Sequence, residues 1–109
     1  MDTRISEAVN KYADLIIQQY SPSKIYLYGS YAKGQNDFSS DIDVAIVFPS
    51  MPISEYMKIW GELFSLAADI DERIEPNLLI DDGIEDKYSM FYEVVTTGVE
   101  ITPALTVSA

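Results

Sequence analysis

The sequence predicts an α+β domain in which a mixed sheet of about four strands packs with helices. Three observations predict this class: segments with apolar residues three and four positions apart, short runs in which apolar and polar residues alternate, and turn residues between them. The predicted order is helix, strand, strand, helix, strand, helix, strand. Because a chain of 109 residues builds one core, we expect a single domain, 1–109, with a polar tail from about residue 102.

The first predicted helix has one apolar face and ends before Ser21, which Pro22 follows. Asp2 or Thr3 is available as its cap. The residues of this face are Ile5, Ala8, Val9, Tyr12, Leu15, Ile16 and Tyr20. The segment "KIYLYG" then predicts a strand that ends at Gly29. After a turn at "SYAK" and a loop at "GQNDFSS", the alternation in "DIDVAIVF" predicts the second strand.

A second helix is predicted from Glu55 to Ala68, after the prolines Pro49 and Pro52. Ser54 is the predicted N-cap, because a serine side chain can accept a hydrogen bond from the first free backbone N–H groups. The predicted apolar face of this helix consists of Met57, Trp60, Leu63, Phe64 and Ala67.

The segment "RIEPNLLI" predicts the third strand, and Pro76 places it at a sheet edge or a bulge, because proline cannot donate a ladder hydrogen bond. The third helix is predicted in "IEDKYSMFYEVVTTG", with Gly98 just past its end. Its predicted face consists of Ile84, Tyr88, Phe91, Tyr92 and Val95. A short strand, "VEI", completes the sheet.

The composition excludes several kinds of chemistry. Eighteen acidic against seven basic residues give a net charge of −11, which is the wrong sign for holding a nucleic-acid backbone directly. The chain has no cysteine and no histidine, which excludes disulfides, thiolate nucleophiles and Ser-His-Asp catalysis. Catalysis must therefore rest on carboxylates, hydroxyls, backbone amides, a few Lys or Arg residues and a cation such as Mg²⁺.

The beginning of the chain predicts its location. Acidic residues come early, and no apolar run has the length of a signal peptide or of a membrane-spanning helix. We therefore expect a cytoplasmic protein that does not bind a membrane.

Asp41 and Asp43 are the first candidate site residues. Residues two apart in a strand point to the same face, with Cα atoms roughly 6.5 to 7 Å apart, so these carboxylates repel each other unless a cation lies between them. Taken alone, such a pair is more often a solvated strand face.

Gly29 and Ser30 are the second candidate feature, because they follow a strand where free N–H groups can point at an anion. Alone, this dipeptide is a common turn. Together with the aspartates it predicts a site for a metal-bound polyphosphate such as Mg²⁺-ATP. A P-loop is excluded because Gln35 and Asn36 follow the second glycine. Lys33 either touches a phosphate or is an ordinary surface lysine.

Metal-assisted phosphoryl transfer commonly uses a further carboxylate, and Glu75 in the third strand is the candidate; the alternative is an exposed edge glutamate. A helix end and a turn are the expected places of the other acidic residues nearby, Asp69, Asp71 and Glu72.

Of the aromatic residues, Tyr31 and Phe38 are the two that could meet a nucleotide. The tyrosines assigned to packing are Tyr12, Tyr20, Tyr26, Tyr28, Tyr88 and Tyr92.

The stretch "GSYAKGQNDFSSDID" resembles the signature of the nucleotidyltransferase superfamily that includes DNA polymerase beta, and the whole chain is similar to its minimal nucleotidyltransferases. The resemblance covers roughly Lys24 to Ile101 and implies the polymerase beta-like fold. It implies that the first two residues of the stretch hold nucleotide phosphates and that Mg²⁺, as two ions, is bound by acidic residues. The acidic residues are Asp41, Asp43 and Glu75.

The resemblance also implies an activity: transfer of AMP from ATP to an acceptor hydroxyl. Minimal nucleotidyltransferases of this size resemble the antitoxins of toxin-antitoxin pairs, in which the implied acceptor is a tyrosine of a HEPN ribonuclease toxin. This implies a hetero-oligomer with that partner. Two alternatives remain open: a non-catalytic binding or regulatory subunit with this fold, and a small-molecule, aminoglycoside-type nucleotidyltransferase that acts with a partner chain.

Overall fold

The computed structural model describes residues 3–37, 39–81 and 89–101, and it confirms the predicted α+β class and order of elements. The predicted tail from about residue 102 lies outside the described residues. The helices are α1 (Thr3–Tyr20), α2 (Ile53–Ile70) and α3 (Met90–Thr97). The strands are β1 (Lys24–Tyr28), β2 (Ile42–Pro49), β3 (Ile74–Asp81) and β4 (Val99–Glu100).

The four strands form one mixed sheet in the order β3-β2-β1-β4. The β1 strand runs antiparallel to both β2 and β4, whereas β2 and β3 are parallel. A parallel pair needs a crossover connection, and α2 supplies it. Because β3 is an edge strand, Pro76 is accommodated there, as predicted.

The larger part of the core lies between one face of the sheet and the helices α1 and α2. Tyr12 of α1 is fully buried, and its hydroxyl donates a hydrogen bond to the backbone oxygen of Leu63 in α2 at 2.8 Å. Burial raises the pKa of this phenol. The buried side chains around it include Val9, Ile16, Ile42, Val44, Ile46 and Leu78. This packing holds the β2 strand against both helices.

The opposite face of the sheet is covered by α3. Ala45 and Val47 of β2 pack there with Tyr26 and Val94, and all four are buried. The β2 strand is therefore apolar on both faces from Val44 onward, and carries Asp43 near its beginning. This pattern makes β2 a rigid central strand whose amino-terminal end is polar.

The start of α2 corrects the prediction. The helix begins at Ile53, with Pro52 as its N-cap residue, and Ser54 lies inside the first turn. Pro52 has the extended conformation of a residue that precedes a helix, and its carbonyl accepts the first helical hydrogen bond from the N–H of Tyr56 at 3.0 Å. No side chain caps this end. The predicted cap at Ser54 is wrong because the backbone turn starts two residues earlier.

The buried face of α2 also differs from the predicted one. Leu63 and Ala67 are buried as expected, but Met57 is 64% exposed and Phe64 is 45% exposed. Ile59 takes part in the core instead. Apolar residues cover more than half of the circumference of this helix, so periodicity alone does not show which part meets α1 and the sheet.

The predicted face of α3 is correct for Phe91, which packs partly buried against the cluster that contains Val94, and wrong for Tyr92 and Val95. Val94 is 1% exposed, whereas Tyr92 is 45% and Val95 is 40% exposed. Ile84 and Tyr88, which set the predicted phase, lie outside the described residues. The described helix begins at Met90, after Ser89.

Both ends of α3 have identifiable caps. The Ser89 side chain accepts a hydrogen bond from the N–H of Tyr92 at 3.0 Å. At the other end the N–H of Gly98 donates to the oxygen of Val94 at 2.8 Å, which confirms the predicted helix end.

In the part of the chain that the structure describes, no helix combines the length and apolar character needed to cross a membrane.

Gly98→Ala should destabilise the fold by about 1–3 kcal/mol, since an added Cβ would lie 2.6 Å from the oxygen of Val94 and 3.1 Å from that of Leu27. Gly61→Ala, in the middle of α2, is the matched control because its Cβ would meet nothing within 4 Å. The control should gain about 0.5–1 kcal/mol. Urea unfolding of both variants measures this, and equal effects would contradict the tight junction at Gly98.

Candidate active site

The strand registers bring polar side chains together on the α3 face of the sheet. Asp43 lies opposite Tyr28 of β1 on one side and beside Glu75 of β3 on the other. Residues paired in this way point to the same face of a sheet. A phenol and two carboxylates therefore occupy adjacent positions on three neighbouring strands, at the amino-terminal end of β2.

Asp41 completes an acidic cluster, which we define as Asp41, Asp43 and Glu75. A side-chain hydrogen bond with the Asp41 carboxyl raises the pKa of Glu75. Partial burial and the negative charges of both aspartates raise it further. Partial burial raises the pKa of Asp43, and the charge of Asp41 adds to it. The structure thus brings the three predicted acidic residues together, and their mutual repulsion favours binding of a proton or a cation.

Gly29 lies directly against this cluster. Its φ is +74°, a conformation that side chains rarely adopt, and a Cβ added here would overlap with Oδ2 of Asp43. The turn that follows β1 therefore passes in contact with an aspartate of the next strand. A glycine is required at this position for both reasons.

Ser30 and Lys33 lie in the turn that Gly29 begins. The N–H of Lys33 donates to the oxygen of Gly29 at 3.2 Å, and the N–H of Gln35 donates to the oxygen of Ser30 at 2.9 Å. The predicted helical turn is thus present as a hydrogen-bonded turn. Ser30 is half-buried within it, and the Lys33 side chain is exposed.

Asp37 organises the loop between the glycine turn and β2, a role that the sequence reasoning missed. Its Oδ1 accepts hydrogen bonds from the N–H and the hydroxyl of Ser39, at 2.8 and 2.7 Å. The N–H of Asp37 in turn donates to the hydroxyl of Ser40 at 3.0 Å. The side-chain hydrogen bond from Ser39 lowers the pKa of this carboxyl. The sequence signal for this role is an Asp followed two residues later by a Ser.

Phe38, a predicted nucleotide contact, lies outside the described residues.

Tyr28 and Asn77 form a second contact that the sequence did not reveal. The side-chain amide of Asn77 donates a hydrogen bond to the Tyr28 hydroxyl. Burial raises the pKa of Tyr28 to about 12, and the nearby charge of Asp43 adds to the effect. Tyr28 packs against the core on the α3 face, as predicted, and its hydroxyl also lies beside the acidic cluster. Asn77 stands two residues after Glu75, which is the only local indication that both face the same side.

Tyr31 and Asp71 belong to the other side of the molecule. Tyr31 packs partly buried against the larger core and lines a cleft of about 480 Å³ together with Arg4, Asp71 and Arg73. Asp71 ends α2 and forms an ion pair with Arg73 at 2.8 Å, as expected of a helix end.

Within residues 3–37, 39–81 and 89–101, no group of three or more Asp, Glu, Cys or His side chains has the arrangement of a preformed metal site.

A family model described as "Polymerase beta, Nucleotidyltransferase" matches residues 10–103. The chain belongs to this nucleotidyltransferase family. The predicted family and the predicted enzyme class, a nucleotidyltransferase, are thereby confirmed. The mixed four-stranded sheet with its three described helices agrees with the predicted polymerase beta-like fold.

Individual relatives support the assignment. A Methanocaldococcus jannaschii protein named "Putative protein adenylyltransferase" is 28% identical over 86 residues, covering 79% of this chain and 84% of the relative. A second protein of that organism with the same description is 34% identical over 62 residues, covering 52% and 60%. The crystal structure of a "putative nucleotidyltransferase" from Sulfolobus solfataricus superposes with a TM-score of 0.63 and 18% identity, covering 94% of this chain and 85% of the other. That likeness shows the shared fold.

Asp43→Asn should change how stability depends on pH. A carboxyl whose pKa is raised on folding adds stability that is present below its unfolded pKa and is lost as pH rises through its folded pKa. Without divalent cations, the variant's free energy of unfolding should therefore fall less between about pH 4 and pH 7 than that of the wild type. Urea unfolding in EDTA at several pH values measures the difference.

The matched control for this measurement is Asp69→Asn, which removes an exposed carboxylate from α2. It should preserve the wild-type pH dependence. An Asp43→Asn profile that coincides with the wild-type and control profiles would show that folding does not raise the pKa of the Asp43 carboxyl.

Proposed function

We propose that this nucleotidyltransferase uses Mg²⁺ to move AMP from ATP to a hydroxyl of a partner protein, and that the partner is a HEPN ribonuclease toxin modified on a tyrosine. The observation that carries the proposal is the close approach of the glycine turn to the Asp43 carboxylate. A turn suited to phosphates and a carboxylate suited to a cation thus touch, so one nucleotide can meet both. The chain acts as the antitoxin of the pair.

The donor set of the acidic cluster fits Mg²⁺. This ion prefers oxygen ligands and usually binds through one or two carboxylates together with substrate phosphates, so a complete protein cage is not required. Asp41 and Asp43 would hold it, with Glu75 as a third donor. A bound cation would also offset the repulsion between the carboxylates, which adds to the raised pKa values of Asp43 and Glu75. When bound, the metal supplies positive charge for the phosphate oxygens on which negative charge develops.

The residues of the chain then have separate roles in an in-line transfer. The backbone N–H groups at Gly29 and Ser30, with the Ser30 hydroxyl, bind phosphate oxygens, and Lys33 adds a point charge. The acceptor oxygen forms a bond to the α-phosphorus while the bond to pyrophosphate breaks, and the electron pair leaves with pyrophosphate. Glu75, exposed on the edge strand beside the two aspartates, accepts the hydroxyl proton.

Two observations favour a protein as the acceptor. The Methanocaldococcus relatives are named as protein adenylyltransferases. The net charge of −11 complements a basic, RNA-cutting partner, because opposite charges steer association and favour the correct pairing.

Incubation with Mg²⁺, ATP labelled on the α-phosphate and the product of the neighbouring gene tests the proposal. The partner should gain the mass of one or more AMP groups. Asp41→Asn together with Asp43→Asn should reduce the transfer rate by about a hundredfold or more, since metal-assisted charge stabilisation is worth several kcal/mol. Asp69→Asn, on the opposite face of the sheet, should transfer AMP at the wild-type rate.

Other outcomes would identify the alternatives. If the two proteins associate and the partner's mass never changes, the chain is a non-catalytic regulatory subunit and the proposed reaction is wrong. If label moves to an aminoglycoside added to the mixture, and the partner stays unmodified, the reaction class is correct and the proposed acceptor is wrong.

A further inference from the structure

The hydrogen-bonded pair formed by Tyr28 and Asn77 lies beside the acidic cluster, and nothing in the proposed reaction yet uses it. Tyr28 is the cross-strand neighbour of Asp43, and Asn77 lies two residues beyond Glu75 on the same strand face. Both side chains therefore border the two carboxylates that lie on neighbouring strands. The pair joins β1 to β3 across the strand between them.

The small size of Ala45 allows this contact. Neighbouring strands lie about 4.8 Å apart, so a side chain on β1 must cross roughly 10 Å to meet one on β3. Ala45 is the β2 residue paired with Asn77, and its methyl group leaves space above the sheet. Tyr28 is half-buried and packs against the cluster of buried residues to which Ala45 belongs. Its backbone is paired with Asp43, and its hydroxyl is held by Asn77.

The polarity of the hydrogen bond determines what the phenol can do. Asn77 donates through its amide nitrogen, so the Tyr28 oxygen is the acceptor and its own hydrogen remains to be donated elsewhere. Tyrosine is neutral at physiological pH, and a neutral donor can approach a substrate oxygen without adding to the negative charge of the cluster. Tyr28 also comes directly before the Gly29 turn, so a nucleotide bound by that turn lies next to it.

We propose that the Tyr28 hydroxyl donates a hydrogen bond to an oxygen of the bound nucleotide, and that Asn77 is a positioning residue that orients this hydroxyl. The inference rests on the proposed function, since it requires that ATP binds at the acidic cluster. It adds a substrate contact from β1 and a positioning residue from β3 to the proposed phosphate and metal contacts.

Calorimetric titration of the purified protein with Mg²⁺-ATP tests the inference. Tyr28→Phe should raise the Kd about tenfold, as expected for loss of one hydrogen bond to a charged or polar oxygen. Asn77→Leu should raise the Kd several-fold in the wild type and have no further effect in the Tyr28→Phe background. That non-additivity is the signature of a residue that acts through another.

The matched control is Tyr20→Phe. Tyr20 is another half-buried tyrosine, and its hydroxyl donates to the Glu62 carboxylate at 2.6 Å on the opposite face of the sheet. This variant should lose thermal stability and keep the wild-type Kd. A purely structural role of Tyr28 would produce the same behaviour in Tyr28→Phe, with a lower Tm and an unchanged Kd, and would overturn the inference.

Two analogues identify the nucleotide oxygen. If 2′-deoxy-ATP or 3′-deoxy-ATP abolishes the difference between wild type and Tyr28→Phe, the contact is to the missing ribose hydroxyl. If both preserve it, the contact is to a phosphate oxygen or to the ribose ring oxygen. Either result supports the inference. Wild-type binding with an equal Kd for Tyr28→Phe overturns the inference alone, whereas absence of Mg²⁺-ATP binding by the wild type overturns the proposed function and this inference together.

Discussion

The contact between the Gly29 turn and the Asp43 carboxylate is the constraint on which the site depends. It exists because β1 and β2 are antiparallel neighbours whose register sets Tyr28 opposite Asp43, and Gly29, the residue after β1, begins its turn against that carboxylate. A backbone without a side chain, at positive φ, is the arrangement that permits this approach. The loop held by Asp37 then returns the chain to Asp41 at the beginning of β2.

The rest of the fold makes that constraint rigid. The β2 strand is buried on both faces, against α1 and α2 on one side and α3 on the other, and pairs with β1 and β3 at its edges. Its apolar portion therefore fixes the orientation of Asp43 within the sheet. This arrangement places carboxylates close together: burial and then the charge of Asp41 raise the pKa of Asp43, and the hydrogen bond with Asp41 raises the pKa of Glu75. The stable packing around the cluster keeps these groups together despite their repulsion.

The site lies at the amino-terminal end of β2, beside the edge strand β3. This position explains why part of the site is well packed while another part is accessible to solvent. Asp43 is half-buried inside the sheet, whereas Asp41 and Glu75 are exposed, one before β2 and one on the edge strand. Asp43 is therefore held in place by the residues around it, whereas Asp41 and Glu75 are accessible to solvent. In the reaction that we propose, the nucleotide is oriented at the buried end and the acceptor approaches from the open edge.

The sequence by itself determined the features that depend on neighbouring residues: the order of elements, the Gly29-Ser30 turn, the same-face aspartates, the edge position of Pro76 and the end of α3 at Gly98. These follow from strand periodicity and backbone conformation, which operate over a few residues. The tertiary structure decided the features that depend on register between distant segments. It brought Glu75 beside Asp43, joined Tyr28 to Asn77 and selected Ile59 and Val94 for the core in place of Phe64 and Tyr92. Apolar side chains surround much of α2, so only packing against α1 and the sheet chose the buried face.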